Sequence, residues 1–125
     1  MIYGIGNDLV ALKRIENLYQ KYGQNLANHV LHPIEQEELA QANNQANFIA
    51  KRFAAKEAFA KAVGTGLHSP VTLRNIGVGH HESGKPEFFY EPVLQRWLAQ
   101  QGVRHVHLSL SDEGEHVLAF AVAER

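Results

Sequence analysis

The pattern of apolar and polar positions divides the chain into a helical first half and an alternating second half. Ile2-Tyr3-Gly4-Ile5-Gly6-Asn7-Asp8-Leu9-Val10 reads as a strand that ends near Asp8. The spacing then predicts a helix from about Leu12 to Tyr22. Leu12, Ile15, Tyr19 and Tyr22 share its inner face, and Arg14, Leu18 and Lys21 form a second stripe facing outward. Gly23 ends it. Two shorter helices are expected near Asn25–Leu31 and from Pro33 to about Ala42. Pro33 suits a first-turn position, and Glu35, Glu37 and Glu38 stand at the positive end of that helix dipole. A long helix follows from about Ala46 to Val63, closed by Gly64-Thr65-Gly66.

Beyond Gly66 the period changes. Asn75–Gly79 and Glu87–Tyr90 are expected strands, joined by the turn Glu82-Ser83-Gly84-Lys85-Pro86. Pro92 to Gln101 reads as a helix carrying Val93, Leu94, Trp97 and Leu98, with Gly102 at its end. Arg104–Leu110 and His116–Ala123 alternate as two strands around Asp112-Glu113-Gly114-Glu115. Helices with an antiparallel sheet and no repeated βαβ unit predict an α+β fold, the sheet packed against the long helix. No linker, repeat or low-complexity stretch interrupts residues 1–125, so one domain is expected.

The long helix departs from ordinary amphipathic patterning. At about 100° per residue, Phe48, Ile49, Phe53, Phe59, Ala60 and Val63 form one apolar arc. Arg52 and Lys56 fall inside that arc, and Glu57 and Lys61 lie at its edge. Charges set into a buried face require compensation by a metal, a phosphate or a partner carboxylate.

Composition narrows the class. Apolar content of 45% and charged content of 20% are those of a globular protein. The chain has no cysteine, which excludes disulfides, iron–sulfur clusters and thiolate zinc sites. No apolar run approaches the roughly 20 residues of a membrane span, and the N-terminus lacks the pattern of a secretory signal. A cytoplasmic location and no membrane partner are therefore expected. The net charge of −1 argues against a nucleic-acid partner. Seven of the twelve basic residues (Lys13, Arg14, Lys21, Lys51, Arg52, Lys56, Lys61) lie in the first half. A local basic face on a near-neutral chain suits an acidic protein or a polyphosphate.

Three groups of residues carry candidate chemistry. Asp8 and Glu57 are hard carboxylates on separate elements, the kind of ligand Mg²⁺ takes. Singly, Asp8 also reads as a helix N-cap and Glu57 as a surface ion pair with Lys61. Lys56, Lys61 and Lys85, with the glycines Gly64 and Gly66, could cradle phosphate; the same lysines and glycines also suit a plain helix C-terminus. Arg14, Leu18 and Lys21 could dock an acidic helical partner, or form a solvated face. Among the eight histidines, His105 and His107 share one strand face, but no H-E-x-x-H spacing occurs. His116 neighbours Asp112 across a turn.

Taken in order, these residues resemble the holo-acyl-carrier-protein synthase family, the short phosphopantetheinyl transferases. The likeness spans the chain. It rests on Gly4-Ile5-Gly6-Asn7-Asp8-Leu9-Val10 with Arg14-Ile15, and on Arg52-Phe53-Ala54-Ala55-Lys56-Glu57-Ala58-Phe59-Ala60-Lys61-Ala62. Gly64-Thr65-Gly66, Gly84-Lys85-Pro86 and His107-Leu108-Ser109-Leu110-Ser111-Asp112 complete it.

The resemblance implies transfer of 4′-phosphopantetheine from coenzyme A to a serine of acyl carrier protein, in support of fatty acid biosynthesis. Adenosine 3′,5′-bisphosphate is the other product. It implies Mg²⁺ on Asp8 and Glu57, and catalysis by Asp8, Glu57 and Lys61. Coenzyme A would be held by Lys56, Lys61, Gly64, Gly66, Lys85, Pro86 and Ser111, and carrier protein by Arg14, Leu18 and Lys21. It further implies a homotrimer with sites between subunits. The family often has Thr at Asn7, and many members have His at Asp112, so no role of that His carries over. Two other readings compete: a non-catalytic module docking an acidic helix through Arg14, Leu18 and Lys21, and a histidine-ligated metalloprotein.

Overall fold

The computed structural model describes residues 1–125. Strand β1 (Ile2–Ala11) continues past Asp8 to Ala11 and feeds α1 (Leu12–Tyr22), then α2 (Gln24–Val30), α3 (Pro33–Leu39) and the long α4 (Gln45–Val63). The hairpin β2 (Ile76–His80) and β3 (Pro86–Tyr90) leads to α5 (Pro92–Gln100), and β4 (His105–Glu113) and β5 (His116–Glu124) close the chain. The α+β expectation holds, with the strands divided between two antiparallel sheets. One has the order β1-β5-β4 and the other is β2-β3. No helix is long and apolar enough to cross a membrane.

The sheet β1-β5-β4 is asymmetric because β5 alternates small and large apolar residues. Val117, Ala119, Ala121 and Ala123 face inward and are buried. The small alanines let α4 lie close to the sheet. Leu118 and Phe120 face the other way, and with Ile5 and Leu9 of β1 they are between 40% and 64% exposed. The register pairs Leu9 with Leu118, and Asn7 with Phe120.

Where α4 crosses β1 the strand presents no side chain on that face at Gly4 and Gly6. A Cβ on Gly4 would stand 2.1 Å from the Ala62 carbonyl oxygen, and one on Gly6 2.2 Å from that of Ala58. Only glycine permits this approach. Gly6→Ala is therefore expected to cost about 2–3 kcal/mol, the upper range for overpacking, and to displace α4 from β1. Thermal melts together with the transfer assay described below check this; a melt unchanged within a degree or so would mean that the contact yields freely.

The charges in the α4 arc find a partner carboxylate. Glu35 of α3 is fully buried, and its carboxylate accepts from the ammonium of Lys56, which is also fully buried. Glu35 also accepts from the backbone N–H of His32 and of Val78, each at 2.9 Å. Arg52 Nε lies 3.8 Å from Glu35 Oε2, and its guanidinium stacks 3.9 Å above the Phe48 ring. Glu35 thus does more than complement a dipole. It completes a capping box with His32, whose Nδ1 accepts from Ile34 N–H, and it joins α3 to α4 and β2.

Two residues of α1 differ from expectation. Tyr22, the last residue of the helix, is 49% exposed rather than on the inner face, and its ring centroid lies 5.2 Å from the Lys21 ammonium. Leu18 is half-buried against the core rather than fully outward.

Candidate active site

The glycine contact that brings α4 against β1 also sets Asp8 beside the second half of that helix. Asp8 points to the inner face, as Gly4, Gly6 and Val10 do, but β1 is an edge strand and its carboxylate stays 18% exposed. Lys61 reaches across from α4. Its ammonium donates to the Asn7 carbonyl oxygen at 2.9 Å and to Asp8 Oδ1 at 3.3 Å. Asp8 is therefore no N-cap; Ala11 holds that position in α1 and makes no side-chain cap bond. The Lys61 ammonium is bonded to Asp8 instead of the Glu57 one turn before it.

Glu57 completes the group. Its carboxyl is pushed above the usual carboxylate range, first by burial and then by the negative charge of Asp8. Lys61 and Arg14 pull the other way. Asp8, Lys61 and Arg14 are therefore all within electrostatic reach of Glu57, and Asp8 and Lys61 are in direct contact. Arg14 is exposed, and its guanidinium carbon sits 5.8 Å from the centroid of the Phe53 ring. Phe53 stands one turn before Glu57.

Two carboxylates that repel each other form a hard, oxygen-only donor pair. Such a pair fits Mg²⁺ better than a soft metal. Gly64 and Gly66 follow Lys61 immediately. Gly64 ends α4 with φ 87°, a left-handed conformation that favours glycine, and bonds the Ala60 and Lys61 carbonyls at 3.1 Å. No atom lies within 4 Å of where a Cβ would stand on either glycine, so ligand can approach the backbone.

Other expected site residues lie elsewhere. Lys56 is a correction: its ammonium is spent in the core on Glu35 and the Val30 carbonyl, the latter at 2.8 Å. It cannot also cradle phosphate. Lys85 and Pro86 line a separate cavity of about 290 Å³ with His105 and His107. Ser111 is exposed on the outer face of β4, opposite Leu118. Within one chain these three are not brought to the acidic pair.

Asp112 turns toward α4, where Lys51 Nζ at 3.5 Å and Asn47 Nδ2 at 3.4 Å bind it; its strand partner is Val117, not His116. The His105 and His107 rings lie 4.2 Å apart, and His107 Nε2 is taken up by Glu124. Sequence reasoning missed the Asn7 carbonyl as an anchor for Lys61, since a backbone acceptor leaves no trace in residue type. The proximity of Arg14 to Glu57 had one trace, Phe53 four residues before the acid.

Residues 4–121 match the family model of the 4′-phosphopantetheinyl transferase superfamily. The chain belongs to that superfamily. It is 60% identical over 125 residues to the holo-[acyl-carrier-protein] synthase of Neisseria meningitidis serogroup A, with 100% of both chains covered. The crystal structure of holo-[acyl-carrier-protein] synthase from Neisseria meningitidis superposes with a TM-score of 0.98 at 59% identity, over 100% of each chain. A holo-(acyl-carrier-protein) synthase from Bacillus anthracis, solved in complex with CoA (3′,5′-ADP), gives 0.82 at 34% identity, over 98% of this chain and 96% of that one. This phosphopantetheinyl transferase is thus an enzyme whose fold class the sequence had indicated.

Proposed function

We propose that this transferase moves 4′-phosphopantetheine from coenzyme A to a serine hydroxyl of apo-acyl carrier protein, in a Mg²⁺-dependent reaction that serves fatty acid biosynthesis in the cytoplasm. The observation that carries the reading is the contact of Lys61 with Asp8 beside an open glycine turn, with Glu57 one helical turn before Lys61 and within electrostatic reach of both. Synthases named for this activity match the chain along its whole length.

The serine oxygen bonds to the pyrophosphate phosphorus that carries pantetheine. The bond from that phosphorus to the bridging oxygen breaks, and adenosine 3′,5′-bisphosphate leaves with the electron pair. The Glu57 carboxylate receives the hydroxyl proton. Lys61 neutralises charge on the phosphates, and the backbone at Gly64 and Gly66 lies along them. Asp8 and Glu57 would hold Mg²⁺, which when bound supplies Lewis-acid polarisation of the pyrophosphate oxygens.

Carrier protein, an acidic partner, docks on Arg14, Leu18 and Lys21. The exposure of both cations and the part of Leu18 left uncovered by the core support this. The outer sheet face of Ile5, Leu9, Leu118 and Phe120 supports self-association as a homotrimer. In that assembly Lys85, Pro86 and Ser111 of a neighbouring subunit complete the coenzyme A site, and their distance from Asp8 within one chain supports the arrangement. Residues 1–125 serve as one transferase domain, which the single core cluster supports.

The test is incubation with apo-acyl carrier protein, coenzyme A and Mg²⁺ followed by intact mass. The carrier should gain one phosphopantetheine, and a chelator should prevent it. Carrier that binds without gaining mass would instead make the chain a docking module.

A further inference from the structure

Arg14 stands where the proposed docking face meets the acidic pair. Ile15 is buried, so α1 is fixed in rotation and Arg14 is carried along its edge toward α4. The Phe53 ring holds the guanidinium there, since a cation over an aromatic face is attracted by the ring quadrupole. Phe53 and Glu57 are i and i+4 on α4, neighbours on one helix face. The charged groups that act on Glu57 are Asp8, Lys61 and Arg14. Lys61 donates to Asp8 and the Asn7 carbonyl, which leaves one ammonium N–H for phosphate. Arg14 has no carboxylate partner of its own; none of the ion pairs in the molecule includes it.

An uncommitted cation held over Phe53, one turn before Glu57, opposes the entry of a second cation at that carboxylate. The same guanidinium is open to a carboxylate arriving from outside. We propose that Arg14 is a coupling residue: free, it holds down the affinity of Asp8 and Glu57 for a divalent cation, and an acidic partner that engages it lifts that restraint. This rests on the functional reading above, in which Asp8 and Glu57 take Mg²⁺ and the partner is acidic. By linkage, cation loading tightens partner binding by the same factor that the partner tightens cation binding. Docking and cation loading thereby favour one another, and the enzyme without carrier holds its cation weakly.

The test is calorimetric titration of Mg²⁺ alone into the full chain, without carrier or coenzyme A. Removing one positive charge near a divalent site should tighten binding about three- to tenfold at low ionic strength and by less at high salt. Arg14→Gln is expected to show this gain, and Arg14→Lys to stay near wild type. Lys13→Gln, which removes the same charge from the next residue, should leave the affinity unchanged. In wild type, apo-acyl carrier protein should tighten Mg²⁺ binding, and in Arg14→Gln that effect should shrink toward none.

Equal affinity in wild type and Arg14→Gln, or an equal gain in Lys13→Gln, would overturn the coupling while phosphopantetheine transfer, measured separately, still stood. Binding undetectable in wild type and still undetectable in Arg14→Gln and with carrier added would likewise overturn it. Wild-type affinity retained in Asp8→Asn and Glu57→Gln would place the ion elsewhere, overturning both the coupling and the metal assignment.

Discussion

Glu57→Gln is expected to lower kcat/KM for phosphopantetheine transfer by about 10²–10³-fold, the loss typical of removing a charge-stabilising group, while the protein remains folded. The carboxylate has two proposed duties, cation ligand and proton acceptor, and the isosteric amide performs neither. Stability follows the opposite logic. Burial and Asp8 hold the Glu57 carboxyl above the usual carboxylate range, so the ionised form is the disfavoured one in the fold. With a folded value above the unfolded one, ionised Glu57 costs stability above the raised value, and that cost disappears as pH falls through it. Glutamine mimics the neutral form, so the melt at neutral pH should not fall. The Mg²⁺ requirement of wild type should rise as pH drops through the same window, because protons and cation compete for one carboxylate. Transfer assays and melts of both proteins against pH and Mg²⁺ check this. A Glu57→Gln enzyme with near-normal transfer would remove the acidic pair from the mechanism.

Most elements were legible because their signals are local. Helix α1 spans the expected segment up to Gly23, and α4 begins one position before expectation because the Asn44 side chain caps Asn47 N–H at 3.0 Å. The need for compensation at Arg52 and Lys56 was legible too. Its agent was not, because Glu35 has a sufficient local explanation in the first turn of α3, and only packing of α3 on α4 carries it to the lysine. The i,i+4 rule suggested Glu57 for Lys61, but the strand crossing at Gly4 and Gly6 offers that lysine Asp8 and a backbone carbonyl instead. Strand β5 shows a subtler limit. Both of its faces are apolar, so alternation alone does not say which is core; the alanines are inside because only they let α4 approach.

Glu35→Ala is expected to be the most destabilising single change away from the active site, by about 3–5 kcal/mol, as when one partner of a buried ion pair is removed. That corresponds to a fall of roughly 10–20 °C in Tm for a chain of this size. The substitution strands Lys56, leaves Arg52 Nε without its nearest carboxylate, and frees the N–H groups of His32 and Val78. Lys56→Met should cost less, because Glu35 keeps both backbone donors and the nearby guanidinium. The pH dependence separates this account from simple cavity formation. Burial already pulls the Lys56 ammonium down to about 8, against the upward pull of Glu35. A lysine whose folded value lies below its unfolded one costs stability while charged, and the cost is relieved as pH rises from the folded value toward the unfolded one. Without Glu35 the folded value drops further, so the variant should regain melting temperature with rising pH from a lower starting point than wild type. Calorimetric melts across neutral and alkaline pH measure this. A Glu35→Ala melt within a few degrees of wild type, with no steeper rise in alkali, would show that apolar packing alone joins α3 to α4.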